Sequence, residues 1–366
     1  MNKATILQLP IFDVEIDDGS SKTTFPLKLQ EIPYLNDKQM RHFCTYFDSA
    51  YIWKGLALYE SMKQIANDFC IHVMALDDKS YKFLKEYECE SLTIDNLRDI
   101  ETEELLHLKA ERTRAEYCWT CGPVIILHLI DKYQLNDITY LDSDLMFFSS
   151  YDPIYHEIGN GSIAITPQYS NHDNQVGKFC VQFMYFKNDA DGRACLIWWR
   201  DRCIEWCFAR YEDGKFGDQK YLDSFPTLFN NVVIISHRGA GIANWNMGLY
   251  RYENGEAIYE GKHYPVIFFH FHGLRMTKEN DTLVFQLFDC DYNKLYDKLF
   301  FHPYMTLVAD NLKKYFNQHI EHFEIRKKSL FNVIYSYIKS LLRNINMVQR
   351  LYFQFHKHES WEDSKL

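Results

Sequence analysis

Short apolar runs alternate with stretches of helical spacing along most of the chain. HFCTYF (42–47) reads as a β-strand, and SAYIWKGLALYESMKQI after it puts Leu56, Leu58, Tyr59 and Met62 on helical spacing. CIHVMAL (70–76) predicts a second strand halted at Asp77 and Asp78, followed by helical SYKFLKEY. A third unit comprises SLTIDNL, an acidic segment and a long helix with the core PVIILHLIDKY, where Pro123 suits a first helical turn. DITYLDSDLMFF then reads as a strand running into a pair of carboxylates. Strand and helix in strict alternation predict an α/β fold, a parallel sheet flanked by helices. The second half is less regular. SIAITP (162–167), CVQFMYFKND (180–189) and VVIIS read as strands, ACLIWWRDRCIEWCFARY as a helix, and PVIFFHFHG as an apolar run. Residues 1–36 read as an extension wrapped on the surface or partly disordered, and beyond about residue 291 the pattern is helical. The expected organisation is thus an extension (1–36), a catalytic-type domain (37–290) and a helical C-terminal region (291–366).

In open sheets of this kind, ligands bind outside the carboxyl ends of the strands. TYFDSAY and YLDSD both lie at such ends. Ionised carboxylates in an apolar run must be paired or bound to a metal. In extended backbone, Asp142 and Asp144 would face the same side and could share one hard cation. Mg²⁺ and Mn²⁺ prefer oxygen ligands and often complete their shell with substrate phosphates. The plain alternative is an ordinary acidic turn; the D-x-D-x-D-G spacing of a calcium loop is absent.

Hydrophobic strand, YLDSDL, FF and a following Pro resemble the D-x-D segment of sugar-nucleotide-dependent glycosyltransferases with the GT-A fold. The resemblance is to retaining family 8 enzymes and related bacterial transferases, and it covers roughly residues 40 to 275. CTYFDSAYIWKGLALYESM resembles their first strand and helix, which implies that Thr45, Asp48 and Tyr51 hold the nucleotide. GDQKYL resembles the segment lining the sugar and acceptor site, implying Asp218 and Gln219 there. IANWN resembles a W-N turn near the acceptor. FFHFHG resembles the H-x-x-G segment, implying His270 as third metal ligand beside Asp142 and Asp144, with His272 as its rival. Asp142 is implied at the donor diphosphate; the Lys-Pro-Trp that commonly follows the H-x-x-G segment is missing, and GLRMTK offers Arg275 or Lys278 instead as the cation that could meet it. The resemblance implies a GT-A central mixed sheet, Mn²⁺ or Mg²⁺, a UDP-sugar donor, and a glycan or lipid-linked saccharide acceptor. Arg112 and Arg114 read as a solvated helix start within reach of the donor. The sequence departs from the pattern at FCVQF, where Cys180 and Gln182 replace the amide and small residue expected to meet the donor sugar. DQK for DQD removes one acceptor-side carboxylate.

Composition narrows the field further. The net charge of −10 argues against nucleic acid as a partner. The N-terminus lacks a signal-peptide pattern and no apolar run spans a membrane, so a cytoplasmic protein is expected. Cys118, Cys121, Cys203 and Cys207 could combine into a zinc site, but their helical flanks favour buried free thiols. The basic amphipathic stretch 323–358 suits docking on the main domain or a homodimer seam, with peripheral membrane contact as rival. Two other readings stand beside glycosyl transfer. A sugar-nucleotide-forming nucleotidyltransferase would need a Gly-rich basic loop after the first strand, and TYFDSAYIWKG has none. A degenerate, glycan-binding relative is suggested by FCVQF.

Overall fold

The computed structural model describes residues 5–10, 40–170, 173–279, 282–287 and 292–316. In chain order its strands are β1 (Thr5–Pro10), β2 (Arg41–Phe47), β3 (Phe69–Ala75), β4 (Leu92–Asn96), β5 (Asp137–Leu141), β6 (Leu145–Phe147), β7 (Ile163–Pro167) and β8 (Phe179–Lys187). They continue with β9 (Val232–Ile234), β10 (Ile242–Ala243), β11 (Arg251–Glu253), β12 (Glu256–Tyr259), β13 (Lys262–Pro265), β14 (Phe268–His270), β15 (Arg275–Glu279) and β16 (Thr282–Leu287).

Seven strands form a central mixed sheet in the order β4-β3-β2-β5-β8-β7-β9. Strands β2 to β5 run parallel, as the strand–helix alternation predicts, while β8 lies antiparallel between β5 and β7. Side chains alternate across β2. Phe43 and Phe47 pack with Leu56, Leu58, Tyr59 and Met62 of the helix Ile52–Ile65 on one face. Cys44 packs on the other face with Ile125, Ile126 and Leu129 of the helix Arg114–Tyr133 and with Trp199 of the helix Ala190–Glu205. The result is a three-layer α/β/α core. A second, three-stranded sheet in the order β10-β14-β6 lies under its own apolar cluster, which includes Phe269, Phe271 and Phe285. The remaining strands form the sheets β11-β12-β13 and β1-β16-β15.

Several local expectations change. Pro123 lies inside its helix rather than in its first turn, because a capping box of Thr113 and Glu116 starts that helix earlier. Part of the acidic segment is helical, Glu103–Glu111, with Thr102 as N-cap. DITYLDSDLMFF is not one strand: β5 and β6 belong to different sheets. Within the N-terminal extension, Thr5–Pro10 pairs antiparallel with β16. Past residue 291 the expected helix is present as His302–Phe316, which packs on Ile52–Ile65. Tyr304 stacks on Phe271 at 3.8 Å, Lys314 bonds Glu60 at 2.9 Å, and Tyr87 Oη donates to Tyr315 O at 2.9 Å. The basic stretch 323–358 lies outside the described residues, as does most of 1–36. Among the described residues, no helix is long and apolar enough to cross a membrane.

Candidate active site

The parallel strands end on one rim, and the acidic residues sit there because each follows a strand's last buried position. Asp48 follows β2, Asp77 follows β3 and Asp142 follows β5. The start of antiparallel β8 brings Cys180 and Gln182 to the same rim, where Asp142 N–H donates to Gln182 O at 3.0 Å. From Asp142 the chain turns, with Leu145 N–H directed at Asp142 O at 3.4 Å, and enters β6 of the second sheet. The expected extended backbone through the carboxylate pair is therefore a turn, required by the change of sheet. In that sheet His270 is paired with Leu145, and Phe271 N–H donates to Asp144 O at 2.9 Å. Strand register thus seats His270 beside Asp144 despite their separation in sequence. Gly273 turns the chain away from the site at φ +71°, a conformation glycine adopts without a Cβ clash.

His270 Nε2 lies 3.0 Å from Asp144 Oδ1 and 3.6 Å from Asp142 Oδ2. Its Nδ1 is 2.9 Å from Gln182 Oε1, an acceptor, so Nδ1 carries a proton and Nε2 is turned to the carboxylates. Tyr140 Oη donates to Asp142 Oδ1 at 2.7 Å. The Lys54 ammonium is 3.0 Å from Asp144 Oδ2 and only 2% of the residue is exposed. Burial opposes charge on Asp144, but Lys54 and then His270 hold its carboxyl well below the usual range. Burial raises Asp142, and the attraction of His270 offsets only part of that rise. Burial also opposes charge on His270, yet the Asp144 carboxylate outweighs it and lifts the imidazole to about 10.

This donor set fits a divalent cation. Adjacent ligands around a six-coordinate ion with bonds of about 2.1 Å stand about 3.0 Å apart, as His270 and Asp144 do, while His270 and Asp142 are wider at 3.6 Å. Cys180 Sγ adds a softer donor, since Asp142, Cys180 and His270 each offer an atom within 4.8 Å of the others. The Gln182 contact is the kind of outer hydrogen bond that orients a metal-binding imidazole. His272 is exposed and meets the edge of Trp245 at 5.7 Å, whereas His270 is buried against the same ring at 5.3 Å.

Asp218 and Gln219 border the cluster. Asp218 is buried, its Oδ2 has no hydrogen-bond partner among the described residues, and burial together with nearby Asp142 raises it to about 7. Gln219 Nε2 donates to Gln168 Oε1 at 2.7 Å and to Val176 O at 3.0 Å. Trp245 and Asn246 of the IANWN turn both donate to Gln168 O, so this turn braces the rim.

At the outer end, Tyr51 is 41% exposed and its ring stands 4.4 Å from Lys54 Nζ. Asp48 Oδ1 accepts from Ala50 N–H at 2.9 Å, and Oδ2 pairs with Arg114 at 2.6 Å. Arg114 also reaches Asp77 at 3.2 Å, clamping the ends of β2 and β3. Thr45 is buried within β2, its Oγ1 unpartnered among the described residues. Arg275 lies exposed on β15, the strand that also holds Lys278. Arg112 is not part of a solvated helix start. It is buried and donates to Thr120 Oγ1 and to Cys203 O and Ile204 O, locking two helices together.

Two features escape sequence reasoning. Lys54 carries no local signal in IWKGLA, and only the packing of that helix reveals its partner Asp144. Cys180 and Gln182 read as departures at the position expected to meet the donor sugar; the structure gives them another place, Gln182 fully buried against His270 and Cys180 beside the same ring. Of the four cysteines, Cys118 and Cys121 lie on the helix Arg114–Tyr133, Cys203 on Ala190–Glu205 and Cys207 just past it; Cys121, Cys203 and Cys207 are buried and Cys118 partly so.

No family model matches the chain. The Bacillus subtilis (strain 168) protein YfnF, itself uncharacterized, is 32% identical over 254 residues, spanning 65% of this chain and 83% of YfnF. YfnD of the same organism, also uncharacterized, is 29% identical over 289 residues, 76% of this chain and 90% of YfnD. Among solved structures, the galactosyltransferase LgtC bound to donor and acceptor sugar analogues is similar at 10% identity and a TM-score of 0.45. That alignment covers 75% of this chain and 99% of LgtC.

Proposed function

The chain belongs to the family of the Bacillus subtilis protein YfnF, and we propose that it is a metal-dependent glycosyltransferase acting through the cluster at its strand ends. The observation that supports this reading is that His270, from the second sheet, stands 3.0 Å from Asp144 and 3.6 Å from Asp142 at the strand ends. Asp142, Asp144 and His270 hold Mn²⁺ or Mg²⁺. The cation supplies Lewis-acid stabilisation to a departing nucleoside diphosphate. The donor is a nucleotide sugar, with a UDP-sugar foremost, and the acceptor a glycan or lipid-linked saccharide.

The roles of the remaining residues follow from position. Tyr51 offers an exposed ring at the mouth on which a base can stack. Lys54 neutralises Asp144 from beneath and keeps a fixed positive charge at the diphosphate end. Arg275, at the start of β15, is the basic residue proposed to meet the diphosphate. Asp218, poised near neutrality, can accept a proton from an attacking hydroxyl or orient it. Gln219 is held at the sugar side by its bonds to Gln168 and Val176 and places a neutral amide there. Transfer with retention is the stereochemistry this arrangement is proposed to serve.

Isothermal titration with UDP tests the proposal. Binding is expected to require Mn²⁺ and to vanish in Asp144→Ala; UDP binding that ignores the metal would sink the site assignment. A second reading, a relative that binds without turnover, is favoured by one observation: Lys54 already pairs with Asp144. Slow hydrolysis of a UDP-sugar in the absence of acceptor would argue against it.

A further inference from the structure

At the opposite end of the parallel strands from Asp48, three metal-ligating side chains converge. His42 and Cys70 are paired across β2 and β3, and His72 lies two residues along β3, so all three project from one face of the sheet. One donor atom from each lies within 4.8 Å of the others. His42 Nδ1 and His72 Nε2 are 3.1 Å apart, the rings stacked at 5.3 Å between centroids. His72 Nδ1 is 2.7 Å from Thr93 Oγ1 on β4. With its Nδ1 proton given to that hydroxyl, His72 turns the Nε2 lone pair into the cluster. Tyr133 closes over the buried His72 ring at 4.3 Å, while half-buried His42 leaves one side open to solvent.

We propose that His42, Cys70 and His72 form a metal site separate from the carboxylate rim, taking a borderline-soft divalent cation such as Zn²⁺ with a fourth position open beside His42. Two imidazoles and a thiolate suit Zn²⁺ and discriminate against Mg²⁺ and Mn²⁺, which prefer oxygen. Binding breaks the Cys70 S–H bond, releases that proton to solvent and forms the metal–sulfur bond, with no change of oxidation state. The two ends of the sheet therefore sort cations by donor chemistry, and the Zn²⁺ ties β2 to β3.

Co²⁺ titration of the full chain tests the site, because a thiolate ligand adds a sulfur-to-cobalt charge-transfer band that Zn²⁺ abolishes on displacement. The expected result is a band lost in Cys70→Ser and in His42→Gln but kept in Cys180→Ser. A band that survives Cys70→Ser, disappears in Cys180→Ser or never forms at saturating Co²⁺ overturns the assignment. His42→Gln alters a half-buried ring and carries the test if Cys70→Ser fails to fold. Thr93→Val is expected to weaken Co²⁺ about tenfold; unchanged affinity would overturn its orienting role.

Discussion

At the residue scale, Lys54 joins stability to function. Its ammonium is buried against Asp144, and removing one member of a buried pair leaves the other charge uncompensated. Lys54→Met is expected to destabilise the metal-free protein by about 3 kcal/mol, measured by urea unfolding. Mn²⁺ should recover part of that loss, since a cation can take over the balancing of Asp144; a variant as stable as wild type would remove Lys54 from the account. Asp218 gives a second prediction at this scale. Its folded pKa of about 7 stands above the ordinary carboxylate value, so the folded state binds the extra proton between those limits. Its contribution to stability is therefore present at low pH and lost as pH rises towards 7. Asp218→Asn should raise Tm at pH 8 by several degrees, and by much less at pH 5, while abolishing transfer. An equal gain at both pH values would mean that the carboxyl is not strained by burial. Asp142 and Asp144 were legible in the sequence because charge in an apolar run requires a partner. Lys54 was not, because nothing local distinguishes a lysine under a rim from one in water.

At the element scale, the helix Ile52–Ile65 must lie close on β2 to deliver Lys54. Gly55 permits this, since a Cβ there would fall 2.2 Å from the Phe47 ring. Gly55→Ala is expected to cost about 1–3 kcal/mol through overpacking and to weaken Mn²⁺-dependent UDP binding as the helix lifts. Chemical unfolding and calorimetry check the two effects, and a neutral substitution would show that the ring yields freely. Periodicity predicted most strands and helices of the central sheet because each is long enough to show its apolar face. It misread 138–148 as one strand. Its apolar residues resume at once after Asp142-Ser143-Asp144 while the chain changes sheets, so a buried turn between two buried strands leaves those three residues as its only polar mark. Pro123 was misplaced because Thr113 and Glu116, not the proline, start that helix.

For the whole molecule, the decisive arrangement is two sheets meeting at the turn Asp142–Leu145. Helices covering both faces of the larger sheet were predictable from alternation. The second sheet was not, since β10, β14 and β6 are two or three residues long and far apart in sequence. The turn also has a topological consequence. A cation seated on Asp144 and His270 closes a loop of more than a hundred residues, as a disulfide would, and so restricts the unfolded chain as well as the folded site. Stripping Mn²⁺ with a chelator should then lower Tm and speed amide hydrogen exchange in β14 and β6 more than in β3 and β4. Uniform acceleration would mean that the metal fastens nothing. On the proposed metal reading the carboxylate pair would be a removable clasp, and the protein's hold on its own smaller sheet would depend on the ion bound there.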